Sequence, residues 1–336
     1  MPKPLNEQVI VITGASSGIG RLAAAELAKA GASVVLAARN GAALEEVAAE
    51  ITGHGGTAHP VVTDVAIWHE VQKLAEETVS RFGRIDTWIN NAGVSEYAVL
   101  EDMAIEEIEH ITQVTYMGQV YGVKAALPAF VQQDEGAFIN IGSVVSKRSI
   151  PLQGAYSAAK HAVKGFSEAL RMEMEHKHPN IHVTLIMPAT INTPFFEHAR
   201  SRMGAEPQLV PPIYEPEAVV EAIVHAVQHP QPEIYIGSGA FTMALGEAIS
   251  PGLVDWVMTR KGMLFKGQKS DQPDNGQDNL FGPAPGTGAI HGKWGDSARQ
   301  TSRYTRYLGL HPMRKRALVG GMAAVGLATV ARKVVR

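Results

Sequence analysis

Tyr156 and Lys160 stand four positions apart in "YSAAKHAVKGFSEALRMEME", and on a helix that spacing puts a phenol and an ammonium on one face, a turn apart. A phenol with a pKa near 10 transfers protons poorly at neutrality, but a nearby cation stabilises phenolate and lowers that value. The pair reads as a proton-transfer device, with Tyr156 as general acid or base and Lys160 tuning it. A second stretch, "VITGASSGIG" at 11–20, sets Gly14, Gly18 and Gly20 where a β-branched run gives way to a helical pattern. Glycines let backbone amides approach a phosphate, whose charge a helix N-terminus favours. Each pattern also has a plainer reading when taken alone, as a pair on a helix surface or a tight turn with no ligand.

Both devices need a scaffold that ends strands and starts helices in the right places. Seven short runs read as strands: 9–13, 33–39, 59–65, 85–93, 137–143, 181–188 and 233–237. Amphipathic stretches such as "GRLAAAELAKAG" and "NGAALEEVAAEITGHG" lie between them. Near-continuously apolar strands alternating with helices mean parallel strands covered on both faces. A doubly wound α/β sheet is the economical arrangement. The glycine loop then follows the first strand and opens the first helix, the context that phosphate binding requires. Beyond about residue 266 the chain turns dense in Gly, Pro, Asp and Asn, loses periodicity, and reads as an irregular linker or surface loop. We expect a catalytic unit over 1–240, an irregular extension over 241–298 and a basic tail with an apolar helix over 299–336.

"TGASSGIG", "NNAG" at 90–93 and "YSAAK" at 156–160 occur in an order and separation similar to those of the short-chain dehydrogenase/reductase family, over about 240 residues. The resemblance implies a Rossmann-type fold, a mostly seven-stranded parallel sheet with helices on both faces. It also implies a nicotinamide cofactor and hydride exchange between a carbonyl and an alcohol. Gly14, Ser16, Ser17, Gly18, Ile19 and Gly20 would then form the phosphate loop. Asp64 and Val65 would flank the adenine, and Asn91, Ala92 and Gly93 the ribose side. Lys160 would also hold the nicotinamide ribose, next to Tyr156. Ser143, thirteen residues before Tyr156, would hold the substrate oxygen and steady charge developing on it. Ser146 and Ser149 are nearby competitors, farther from the strand end.

Two segments depart from the family's pattern. "TYMGQVYG" matches its N-x-x-G-x-x-x-G stretch, so Thr115 replaces an asparagine that supports a water-linked proton path to the lysine. A threonine hydroxyl could hold that water, with less reach than an amide. "MPATINTPFF" resembles the P-G-x-x-x-T segment with Ala189 for glycine, which puts Pro188, Ile191 and Thr193 beside the nicotinamide. Residues from Pro194 to about Tyr214 would form a substrate lid, in which Phe195, Phe196, Met203 and Leu209 suit either an apolar ligand or the lid's own core.

The end of the second strand meets the adenosine ribose in such folds. An acidic residue there would bind a 2′-hydroxyl and repel a phosphate, but this chain has Ala37, Ala38 and then Arg39. A guanidinium suits a 2′-phosphate, so NADP(H) is expected over NAD(H). The alternative is a solvated arginine at a strand end.

Composition narrows the setting. With 45% hydrophobic and 19% charged residues among 336, this is a folded chain of ordinary balance. It has no cysteine, which removes disulfides, thiolate metal sites and a cysteine nucleophile. No metal site is expected. The start "MPKPLNEQVI" has no apolar run of a secretory signal, and a cytoplasmic location is the default. Of the 30 Lys and Arg, nine lie after Asp296, leaving 21 against all 33 acidic residues in the body. An acidic body with a basic tail points to an attachment function for the tail rather than a nucleic-acid role for the body, while a small-molecule carbonyl or alcohol substrate is what the family resemblance implies. The apolar stretch 317–331 is shorter than the roughly 20 residues that span a bilayer. It could lie at an anionic membrane surface, pack in an oligomer or cover the protein's own surface. Family resemblance also implies a homodimer or homotetramer. Two other classes stay open: a nucleotide-binding module without chemistry, which Thr115 encourages, and a membrane-attached scaffold.

Overall fold

A computed structural model describes residues 2–314, apart from 261, 262, 285, 287 and 312. The apolar tail segment 317–331 lies outside the described residues. Seven strands form one parallel sheet: β1 (Val9–Thr13), β2 (Ser33–Ala38), β3 (Thr57–Val62), β4 (Thr87–Asn90), β5 (Gly136–Ile141), β6 (Ile181–Pro188) and β7 (Glu233–Ile236). Their spatial order is β7-β6-β5-β4-β1-β2-β3. The sequence expectation for β1 and β6 holds to the residue, while the others differ by a few positions. The run 85–93 shortens to 87–90, and 137–143 ends at Ile141, because the following residues turn away to line a crevice.

Alternation along the buried strands sends side chains into two cores. Ile10, Ile12, Val34 and Leu36 face helices α1 (Gly18–Lys29), α2 (Gly41–Gly53) and, toward the far edge, α7 (Glu217–Gln228). Val9, Val11, Val35 and Phe138 face α3 (Trp68–Phe82), α5 (Gly118–Gln133) and α6 (Gly154–Lys177). The remaining major helices are α4 (Ile105–Thr112), before a π-turn at Gln113–Met117, and α8 (Ser238–Ile249) with α9 (Pro251–Arg260) after β7. A buried polar chain ties one core across the sheet. Asn90 Nδ2 donates to Asn140 Oδ1 at 2.9 Å, and Asn140 Nδ2 to Ser167 Oγ on α6 at 2.9 Å. Such pairing fixes register, since any slip would leave buried amides unsatisfied.

Strand order reverses between β1 and β4, so loops leaving their carboxyl ends diverge and open a crevice. After β7 the chain does not trail away. Ala298–Arg299 joins Ile213–Tyr214 and Thr190–Ile191 in a small parallel ribbon, and the irregular residues before it cross the crevice.

Candidate active site

The crevice holds a cavity of about 680 Å³ that runs from Arg39 at the end of β2 to Phe196 and Met243. Gly14, with φ 67, turns the chain out of β1 so that Gly18 can open α1. Ser16, Ser17, Gly18 and Ile19 line the wall there. Gly20 does not. A Cβ on it would lie 2.1 Å from the Gly14 carbonyl oxygen, so its glycine serves the close packing of α1 on the loop rather than ligand contact. Asn91 both lines the cavity and locks the loop, its Nδ2 donating to the Thr13 carbonyl at 2.9 Å. Asp64, Val65, Ala92, Gly93, Pro188, Ile191 and Thr193 complete the expected wall.

Helix α6 carries Tyr156 and Lys160 to the same cavity. Lys160 Nζ lies 5.6 Å from the Tyr156 ring centroid and donates to the Ile141 carbonyl at 2.7 Å. Ser143, just beyond β5, hydrogen-bonds the Tyr156 hydroxyl. The two competing serines are placed otherwise. Ser146 Oγ is buried and accepts from the Ser143 amide, and Ser149 is exposed.

Burial dominates the charges of this pair. It pushes the Tyr156 phenol above its ordinary value, against the Ser143 hydrogen bond, and pushes the Lys160 ammonium down to about 7. The sequence expectation that Lys160 lowers Tyr156 is therefore outweighed by desolvation. A lysine titrating near neutrality can exchange protons in either direction at neutral pH.

Thr115 is fully buried in the π-turn between α4 and α5 and is not on the cavity wall. Its Oγ1 donates to the Val94 carbonyl at 3.1 Å and accepts from the Val94 amide at 3.2 Å. The hydroxyl secures the loop after Gly93, and a Cβ on Gly93 would lie 3.6 Å from it and 3.9 Å from Lys160 Nζ. Gln119, one turn on, shares the Ile141 carbonyl with Lys160, its Nε2 donating at 3.0 Å. Sequence reading passed over Gln119 because a buried glutamine has no spacing signature of its own.

The other end of the cavity is built by the segment 194–214, where a lid is expected, and by residues no motif announced. Phe195 packs on Tyr156 at 5.6 Å between ring centroids, and Phe196 and Leu209 line the wall with it. Met203 instead packs in a cluster with Tyr97, Leu152 and Ala199, so the lid's apolar residues divide between cavity and core. Tyr97 and Gln153, joined by a hydrogen bond, also face the cavity, and burial holds the Tyr97 phenol above its ordinary value. Leu152 reaches φ 67 to present Gln153 there, a backbone conformation that costs a branched residue roughly 1–3 kcal/mol. Arginines pin the lid: Arg200 Nη1 donates to Glu107 at 2.7 Å, and Arg202 Nε to the buried Glu96 at 2.9 Å. Burial pushes the Glu107 carboxyl up, but Arg202, the Ala104 amide and Arg200 together hold it down at about 2.

A nucleotide-sized cavity at the switch point of a doubly wound sheet, with serine, tyrosine and lysine converging at one end, defines a Rossmann-type oxidoreductase. The profile of the short chain dehydrogenase family matches residues 8–204, and the chain belongs to the short-chain dehydrogenase/reductase family. It is 39% identical over 326 residues to the uncharacterized oxidoreductase YxnA of Bacillus subtilis, covering 96% of this chain and 90% of that one. It is 34% identical to mouse dehydrogenase/reductase SDR family member 7B, over 79% of this chain and 84% of the relative. Among solved structures it resembles an alcohol dehydrogenase from Thermococcus sibiricus complexed with 5-hydroxy-NADP, with a TM-score of 0.60 and 27% identity over 68% of this chain and 95% of that one. A metagenomic short-chain oxidoreductase in complex with NADP gives a TM-score of 0.60 at 26% identity, over 70% of this chain and 98% of the other. Members of this family use a nicotinamide dinucleotide, so the chain is a nucleotide-binding oxidoreductase acting on a small molecule. Among the described residues no helix is long and apolar enough to cross a membrane.

Proposed function

We propose that this protein is an NADP(H)-dependent reductase or dehydrogenase that interconverts a carbonyl and an alcohol on an apolar substrate. The observation that carries the reading is a single cavity with Arg39 at one end and the Ser143, Tyr156 and Lys160 constellation at the other. The bound cofactor supplies or accepts the hydride. Tyr156 moves the proton to or from the substrate oxygen, and Ser143 donates a hydrogen bond to that oxygen as charge develops on it. Lys160 holds a nicotinamide ribose and exchanges protons with the tyrosine. Gly14, Ser16 to Ile19, Asp64, Val65 and Asn91 to Gly93 hold the adenosine and phosphate portion, while Pro188, Ile191 and Thr193 orient the nicotinamide.

Preference for the 2′-phosphate rests on Arg39, whose guanidinium lies on the cavity wall and meets neutral backbone carbonyls, and on the NADP bound to the two structural relatives. An apolar substrate is supported by Phe195, Phe196, Leu209 and Met243 on the wall beyond Tyr156. Oxidation of NADPH, and separately of NADH, against aldehydes and ketones of graded size tests the reading, with Tyr156→Phe as control. Turnover that favours NADPH and disappears in the variant upholds it. Turnover retained in Tyr156→Phe sinks it.

A further inference from the structure

The irregular segment that follows α9 lies across the dinucleotide crevice as a strap. It is anchored at one end by Leu280, which is fully buried in the core, and by Asp278, which accepts from Arg200 Nε at 2.8 Å. At the other end His291 meets Glu217 at 2.8 Å, and the Trp294 amide donates to Asn192 Oδ1 at 3.1 Å. Between these anchors its backbone carbonyls cap the loops where phosphates and ribose would sit. Arg39 Nη2 donates to the Asn279 carbonyl at 2.6 Å and Nη1 to that of Leu280 at 3.3 Å. Arg21 Nη1 donates to the Gly288 carbonyl at 2.8 Å, and the Gly18 amide to that of Ala289 at 2.9 Å.

Three features support a roof over the site, even though strap carbonyls already take the Gly18 amide and two Arg39 donors. The cavity beneath it keeps about 680 Å³, and strap residues such as Asn279, Ala284 and Gly288 line the same space as Gly14 and Arg39, within the range that holds small-molecule ligands. Residues 279–291 contain no Asp or Glu, so nothing acidic is laid over a phosphate pocket. A cover whose purpose was to neutralise Arg39 would bring a carboxylate, whereas this one brings carbonyls and uses two of the guanidinium's five N–H donors. Closing such a roof excludes water from the charges below and obstructs exchange of what lies there.

We propose that the described residues within 279–291, from Asn279 to Ala284 and from Gly288 to His291, are the outer wall of the dinucleotide site, a strap that lifts for the nucleotide to pass and, once down, slows its release. The proposal rests on the cavity binding a nicotinamide dinucleotide, as read above. Gly288 offers the sharpest lever. A Cβ there would meet the Ser16 carbonyl oxygen at 1.9 Å and Ser17 Cβ at 2.7 Å, so Gly288→Val must push the strap off the loop. Leu280→Ala loosens the strap from its anchor without touching the loop.

The experiment is stopped-flow displacement of bound NADPH by excess NADP+, followed by NADPH fluorescence, in the full-length protein and both variants. Hydrogen–deuterium exchange of peptides covering 279–291, with and without NADP+, gives a readout in the unmodified protein that does not depend on the variants folding. We expect release at least tenfold faster in each folded variant and slower amide exchange across the strap when NADP+ is bound. Release within twofold of the parent in the folded variants, or strap exchange unmoved by NADP+, overturns the strap while leaving the cofactor reading intact. Slower release with tighter binding in Gly288→Val would mark the strap as a competitor of the nucleotide and overturn it as well. Failure of the unmodified protein to bind either nucleotide overturns the cofactor reading and the strap together.

Discussion

The cavity's two ends are built in opposite ways. At the Tyr156 end, side chains from one helix and neighbouring strand ends converge, and the roles belong to functional groups: a phenol, an ammonium, a hydroxyl. At the Arg39 end, the partner is a strap about 240 residues away in the chain, and it contributes backbone carbonyls. The first end stands on α6 and β5, parts of the packed sheet and its helices. The second depends on a segment with little regular structure, held by a few side-chain anchors and main-chain hydrogen bonds. The proposed function assigns chemistry to the first end, and the strap proposal assigns exchange to the second.

The largest effect expected breaks the first end alone. Tyr156→Phe should lower turnover by roughly 10²–10⁴-fold, the range typical of losing a general acid or base. Nucleotide affinity, measured by fluorescence titration, should change by less than about threefold. A comparable loss of affinity would mean that the two ends do not divide the labour this way.

Lys160 gives a stability test of the same end. Burial holds its pKa at about 7 against 10.5 for the free side chain, so between those values the unfolded chain binds more protons than the folded one. The burial of Lys160 makes stability rise with pH across that window, by on the order of 5 kcal/mol for the full shift, and its cost is fully present below pH 7. Chemical denaturation from pH 6 to 10 should show that rise in the parent relative to Lys160→Met. Parallel curves for the two proteins would show that the lysine is not desolvated.

Arg39→Ala probes the second end. It removes a charged donor from the wall, and loss of a charge-assisted hydrogen bond is worth about 1.5–3 kcal/mol. NADPH affinity should fall roughly tenfold to a hundredfold while NADH affinity changes little. Equal losses for both nucleotides would assign Arg39 to anchoring the strap instead of reading a phosphate. The smallest effect belongs to the exposed pair between His291 and Glu217, where Glu217→Gln should alter NADPH release by less than about threefold, as expected for a solvent-screened contact.

Thr115 shows how a sequence position can be identified and its use still be hidden. The resemblance gives it a place on the proton path, whereas the π-turn also has its hydroxyl hold both backbone groups of Val94, near Lys160 across Gly93. Gly20 is similar. The motif put it with the phosphate loop, and the structure uses its missing side chain for contact with Gly14. Met203 was grouped with Phe195 and Phe196 by composition, yet it turns into the lid's core.

What the sequence determined by itself was local and periodic. Alternating apolar runs set the strands, the glycine spacing placed the turn into α1, and an i, i+4 separation put Tyr156 and Lys160 on one helix face, because short-range geometry follows directly from residue order. Tertiary structure alone decided which distant segments meet. The strap's composition announced irregular chain and nothing more, since carbonyl acceptors are the same in every residue and leave no mark in a sequence. Burial was decided there too, and with it the downward shift of Lys160, because desolvation depends on what the whole fold packs around a group.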